Sequence, residues 1–423
     1  METAAPDSRG TDRLRVPTLW APWTGCIQNP LLCTDQFLFP SFSKTGEFIW
    51  SEDGENRAEN KQDHRFRTVY LKKKKNMEAE KRQRKKASMA KHKNYLKQTI
   101  KASGTAFLEV FHKLLEETNA NTDDVFQYLQ RVYHAIFFFG HINNPQVNPK
   151  DFFPADAWNT IQNVFQRPLA EYNTHLPSQT PYSILLEYIT KIHGGRKESI
   201  LEELEKRNKE FLVNFYKDEK NQLQPRNFAL SATVISHSCV NKPNSANTYG
   251  SSIAYKGTVP RQIMIAISAL LVWDKVISYE VRCKESGRGI QFPNDVCCDS
   301  YKFKTSNNKY KPVCPCTKCY ESYIVKFDPK FVKTDKQEDW PHGNCAETES
   351  LSNLLRDNED IRNAVHTYDN NKEIVNRENI IKRFANEHED ELQKEVKRLL
   401  ESCRFHVNQN GLELFTPAAF AYI

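Results

Sequence analysis

The hydrophobic pattern changes period at Pro225, and that change bounds what the chain can fold into. Before it, apolar residues recur every three to four positions, the period of a helix with one buried face. Phe107, Leu108, Phe111, Leu114 and Leu115 form one such set; Val125, Phe126, Leu129, Val132, Tyr133 and Ile136 form a second. A third carries Ile184, Leu185, Tyr188, Ile189 and Ile192 and is stopped by Gly194-Gly195, and a fourth runs from about Lys197 to Tyr216. After Pro225 short β-prone runs separated by Asn, Pro and Gly take over. Phe228–Ser236 and Ser251–Lys256 read as paired strands, Gln262–Ser278 as a buried helix or strand, and Val276–Arg282 as a strand. A helix opens near Asn344, a long amphipathic one runs from about Asn376 to Cys403, and Leu412–Phe415 reads as a last strand. The expected class is an all-helical region at 104–220 followed by an α+β or α/β domain at 226–423.

The charge is as unevenly spread as the hydrophobicity. The 423-residue chain carries a formal +7, yet residues 72–101 hold thirteen Lys and Arg against Glu78 and Glu80. That local +11 leaves −4 for the rest. Residues 67–103 contain no Pro and are rich in helix formers, so they read as a basic helical segment. Lys72, Lys73, Lys74, Lys75, Lys81, Arg82, Arg84, Lys85 and Lys86 form its densest part. Such a block suits a nucleic-acid backbone or nuclear import; the plainer reading is a solvated linker. Ahead of it, residues 1–66 scatter Trp20, Trp23, Phe37 and Trp50 among Pro, Ser and Asp. This leader reads as mostly disordered, or as a docking segment that buries its aromatics on a protein partner.

No membrane span is expected. The longest apolar stretch, Ile263–Trp273, is eleven residues broken by Ser268, and a spanning helix needs about 20. The N-terminus has no apolar signal core. With no secretion signal, the eleven cysteines read as metal ligands or free thiols rather than disulfides. Nucleus and cytoplasm are the expected compartments.

Two short segments concentrate the chemistry. Val313-Cys314-Pro315-Cys316-Thr317-Lys318-Cys319 contains a C-x-x-C pair, a spacing that lets two thiolates grip one tetrahedral ion with Zn–S bonds of about 2.3 Å. Trp340-Pro341-His342-Gly343-Asn344-Cys345-Ala346-Glu347 adds thiol, imidazole and carboxylate at a helix start. With Asn344 as N-cap, Cys345 would occupy the first turn, where the helix dipole favours the thiolate.

Cys345-Ala346-Glu347 together with Pro315-Cys316-Thr317-Lys318-Cys319 resembles the zinc-dependent nucleoside and nucleic-acid deaminase superfamily, and the H-G-N-C-A-E wording resembles its bacterial-toxin-type branch. The resemblance covers residues 226–423 at most. It implies a cytidine-deaminase-like α/β domain in which Cys316, Cys319 and Cys345 hold Zn2+ and Glu347 shuttles protons. It implies, too, that water activated by the ion attacks C4 of a cytosine-type ring or C6 of an adenine-type ring. One departure stands out: in the family P-C-x-x-C follows the Glu motif, and here it precedes it. Altered connectivity, a relative that has lost catalysis, or a different role for the upstream cysteines would each account for that order.

The alternative is a non-enzymatic nuclear protein that binds nucleic acid through its basic segment. Two or three of Cys314, Cys316 and Cys319 would then form a closed structural zinc knot with His342 or Cys345. His237 reads as a satisfied core histidine. No phosphate loop, G-x-S-x-G elbow or H-E-x-x-H is present.

Overall fold

The computed structural model describes residues 62–118, 121–216, 223–224, 227–242, 245, 247–283, 288–333, 338–368, 373–407 and 411–419. Nearly all of the leader therefore lies outside the described residues. The chain divides into two compact units, Met1–His92 and Lys93–Ile423.

α1 (Gln62–Glu117) contains the whole basic segment. Every residue from 71 to 94 is exposed, and burial begins at Thr99 and Ile100. The helical region continues through α2 (Thr122–Ile142), α3 (Ala155–Val164), α4 (Gln166–Glu171), α5 (Pro181–Ile192) and α6 (Lys197–Tyr216). The local signals behind these boundaries are ordinary ones. Asn121 caps α2, while Thr180 caps α5 with Pro181 in its first turn. Gly194 and Gly195 both take positive φ just past α5. The aromatics of the helical pattern are core: Phe107, Phe111, Phe137, Phe138 and Phe139 are fully buried. Arg207 is buried with them at 1% exposure, surrounded by Glu117, Glu203 and Glu210.

The remaining chain is mixed. β1 (Val234–Val240) and β2 (Asn247–Ser251) form a hairpin, followed by α7 (Thr258–Ile267) and α8 (Lys275–Arg282). Then come β3 (Gly289–Gln291), β4 (Val296–Lys304), β5 (Lys309–Pro312), α9 (Thr317–Ser322), β6 (Tyr323–Ile324) and β7 (Lys326–Asp328). The last elements are α10 (Ala346–Asp357), α11 (Glu359–Ala364), β8 (His366–Tyr368), β9 (Ile374–Val375), α12 (Arg377–Phe384) and α13 (Asp390–Ser402). One sheet has the order β2-β1-β4-β5, with β7 pairing parallel to β4; the second has the order β6-β3-β8-β9.

Several expectations need correction. Val276–Arg282 is α8, not a strand. Val276, Ile277, Tyr279 and Val281 are β-prone types, but they are buried together while Lys275 and Arg282, seven positions apart, stay half-exposed, and Asp274 caps the helix through Val276 N–H at 3.0 Å. The expected strand pair is a real hairpin at a different place. It runs through Val234–Val240 and Asn247–Ser251, because Phe228 and Ala229 turn instead to the helices: Phe228 stacks on Phe211 and Ala229 N–H bonds Ser103 Oγ. The long helix near the C-terminus is α12 and α13 joined by a π-helical turn at Ala385–Glu389. The last predicted strand reduces to a single bridge between Leu176 and Leu414.

One contact fixes α10 against the first sheet. A Cβ built on Gly250 would stand 2.3 Å from Ser350 N and 2.6 Å from Ala346 O. Glycine therefore lets the helix backbone touch the β2 backbone. Hydroxyls finish the seam: Ser238 Oγ meets Ser350 Oγ at 2.9 Å and Thr248 Oγ1 donates to Ser350 O at 3.0 Å. This small-residue packing orients everything at the start of α10.

Candidate metal centre

Cys316 caps α9 and Cys345 caps α10. The expected cap, Asn344, lies one residue outside, with its Oδ1 buried and unpartnered. Cys345 thus sits at the cap itself, and its sulfur makes no capping bond. The turn before it depends on Gly343, whose φ is +81° and whose Cβ position is crowded by Val281 at 2.9 Å and Ile265 at 3.0 Å. On the other helix, Cys319 N–H donates to Cys316 Sγ at 3.4 Å.

These two starts bring three sulfurs together. Cys316, Cys319 and Cys345 place their Sγ atoms within 4.8 Å of one another, with Cys316 and Cys345 3.4 Å apart. Thiolates sharing one tetrahedral zinc are about 3.8 Å apart, given Zn–S bonds of about 2.3 Å. The group could hold a metal ion, and its soft donor set suits one.

The protons are shared unevenly. Hydrogen bonds from the Cys319 and Cys345 thiols hold Cys316 well below the usual thiol range, and the Trp340 indole N–H adds to this. That indole nitrogen is buried with no well-aligned hydrogen-bond partner. Cys319 and Cys345 are pushed well above the usual range, first by their bond to Cys316 and then by burial. One thiolate solvated by two thiols is the state a cation would replace.

Glu347 stands beside the group without belonging to it. It is 4% exposed. Its Oε1 accepts from Ser300 Oγ at 2.8 Å and its Oε2 lies 3.7 Å from Cys319 Sγ. Burial raises its pKa.

The alternates fall elsewhere. Among the described residues the ligand atoms of Cys314 and His342 do not join the three-sulfur group. His342 Nε2 bonds Ser322 Oγ at 3.0 Å, and burial lowers its pKa. His237 is a buried histidine that is only half satisfied: Nε2 meets Asn247 Oδ1 at 3.0 Å and the ring stacks on Tyr249, while Nδ1 is buried without a hydrogen-bond partner, 3.7 Å from Asp299 Oδ2.

No protein-family model, curated protein or solved structure matches this chain.

Ser300 and Trp340 are the residues that sequence reasoning missed. Ser300 lies in the middle of β4, opposite Ser236, and nothing local distinguishes it. Trp340 does carry a signal, since it opens the segment that ends in Cys345. Lys318 holds that segment to α9 through the Glu338 carbonyl at 3.2 Å and the Trp340 carbonyl.

Lys72, Lys73, Lys74, Lys75, Lys81, Arg82, Arg84, Lys85 and Lys86 are all exposed on α1. Among the described residues no helix is long and apolar enough to cross a membrane.

Proposed function

We propose that Cys316, Cys319 and Cys345 hold a zinc ion in an open site, and that the protein is a deaminase-like hydrolase of a nucleobase-type amidine carbon. The observation that carries this reading is the position of Glu347, next to three sulfurs yet outside their group. A structural knot needs a fourth protein ligand, whereas a catalytic site keeps that position for water. The donor set fits the ion: three soft sulfur donors within 4.8 Å of one another.

Bound there, zinc would supply a Lewis acid able to activate water near neutral pH. Glu347 then has the proton work. Its carboxylate takes a proton from the attacking water, passes it to the ring nitrogen, and delivers the second to the departing amine, so that a C–NH2 carbon plus water gives a carbonyl and ammonia. Ser300 fixes the rotation of that carboxyl by holding Oε1. Burial raises the Glu347 pKa, the direction that strengthens the carboxylate as a proton acceptor. The reversed order of the two motifs is accommodated because α9 and α10 meet in space whichever comes first in the chain.

The test is zinc-loaded protein assayed on cytosine- and adenine-type nucleosides and single strands. Ammonia release that disappears in Glu347→Gln, with zinc retained, supports the reading. Ammonia release unchanged by that substitution, or absent from the zinc-loaded wild type on every substrate tried, contradicts it.

A second reading rests on a separate observation, the exposed cationic stretch of α1. In it the protein binds nucleic acid through residues 72–101, with or without catalysis at the cysteines.

A further inference from the structure

A cavity of about 400 Å³ is lined by residues of α5, β2 and α10. The two helices face it in the same way. Ser183, Glu187 and Thr190 of α5 stand at i, i+4 and i+7, and so do Glu349, Asn353 and Arg356 of α10. Each set is therefore one stripe along a single helix face. Cys316, Cys319, Cys345 and Glu347 are not among its walls, so the zinc reading leaves this space unused.

The α10 stripe brings three different groups to the cavity. Glu349 is partly buried. Its close hydrogen bonds both end on Oε2, from Ser251 N–H at 2.6 Å and Ser183 Oγ at 3.1 Å, which leaves Oε1 the freer oxygen. No cation stands among the groups that act on this carboxyl, and burial raises its pKa to about 7. Asn353 gives its Nδ2 to the Tyr249 carbonyl at 2.9 Å, so its Oδ1 remains as an acceptor. Arg356 is exposed, and among the described residues no ion pair holds it. On the facing wall the charges cancel, since Arg131 lies 2.7 Å from Glu187. Asp357, exposed beside Arg356, works against a purely anionic guest. The lining therefore suits a molecule that carries both signs of charge.

We propose that this cavity binds a short linear peptide, a di- or tripeptide with free ends, laid along α10. Its N-terminal ammonium sits at Glu349, a backbone amide N–H at Asn353 Oδ1, and its C-terminal carboxylate at Arg356. The lengths agree. Seven residues of helix rise about 10 Å, and an extended di- or tripeptide spans roughly 7–11 Å. The ammonium supplies the cation that Glu349 lacks, and the guanidinium fork of Arg356 matches a carboxylate. Between them, Asn353 is held in place by its bond to β2, so its free oxygen is already oriented before a peptide arrives.

Calorimetric titration of the full-length protein with dialanine and trialanine tests this. N-acetyl-dialanine and dialanine amide, each lacking one terminal charge, are titrated beside them. At least one free peptide should bind saturably at one site per chain. Each blocked form should bind at least about tenfold more weakly, the scale of a lost hydrogen bond between charged groups. Arg356→Gln and Glu349→Gln should each weaken the free peptide by a similar factor while leaving metal content unchanged, which keeps this test separate from the zinc reading. Arg356 is exposed, so its variant stays informative if Glu349→Gln fails to fold. Absence of saturable binding by both free peptides at millimolar concentration would overturn the proposal, as would binding that Arg356→Gln leaves unchanged. Blocked peptides that bind as tightly as free ones would overturn the ligand class.

Discussion

The Glu347 carboxyl stands 3.7 Å from the Cys319 sulfur across 28 positions of sequence. Two short helices produce this proximity, one starting at Cys316 and one at Cys345. On the proposed reading the relationship divides the labour of the centre, with sulfur for the ion and carboxylate for the proton. It also separates the consequences of substitution.

Cys345→Ser and Cys316→Ser should remove tight zinc binding, since each deletes one of three soft donors. Glu347→Gln should leave metal content unchanged while lowering turnover at least about 100-fold, the scale of a lost acid–base group. Metal analysis of the three purified variants beside wild type checks the split. Zinc lost equally from all of them would mean that Glu347 is a ligand.

Gly250→Ala tests the seam that positions α10. The added methyl would meet backbone rather than a movable side chain, so the helix must shift. A loss of about 1–3 kcal/mol is expected for such overpacking, read as a lower denaturation midpoint. Because Cys345 and Glu347 ride on α10, zinc affinity should fall in parallel. Normal stability with normal zinc affinity would show that the helix does not depend on this contact.

Arg207 supplies a pH-dependent prediction far from the centre. Although burial opposes it, hydrogen bonds from Arg207 and Lys206 and their charges bring Glu117 down to about 2. A carboxylate lowered in the fold stabilises it above the ordinary carboxylate pKa. That stability should drain away as pH falls from about 4.5 towards 2. Arg207→Ala should cost about 1–3 kcal/mol at neutral pH, the scale of lost hydrogen bonds to charged groups whose carboxylates stay partly solvated, and should flatten this acid-side slope. Denaturant titrations at several pH values measure both.

The basic stretch makes its own prediction. If residues 72–101 bind nucleic acid, affinity should fall steeply and log-linearly with salt. Replacing Lys72–Lys75, Lys85 and Lys86 by Gln should weaken binding to all sequences alike and reduce the salt slope. Binding that is indifferent to salt would discard the role.

Helices with one polar face were legible in the sequence: α6 falls at the expected residues, and the Gly194-Gly195 stop is where it should be. Elements buried on every side were not. α8 is eight residues dominated by the β-prone types Val, Ile and Tyr, too short for its helical period to outweigh that preference. β1 reads Val-Ile-Ser-His-Ser-Cys-Val because Ser236 and Ser238 must leave room for partners across the sheet and on α10; small hydroxyls there carry no strand signal. The three sulfurs and Glu347 could be nominated from short spacing and local chemistry. Their convergence could not, because α9 and α10 come together through the packing of separate segments. Ser300 was equally hidden, since its importance lies only in what it faces.

Zinc-edge X-ray absorption on the metal-loaded full chain tests the central claim most directly. The account predicts three sulfur neighbours at about 2.3 Å and one light oxygen neighbour, with the same pattern retained in Glu347→Gln. A shell of four protein sulfur or nitrogen donors, or no tightly bound zinc, would contradict it.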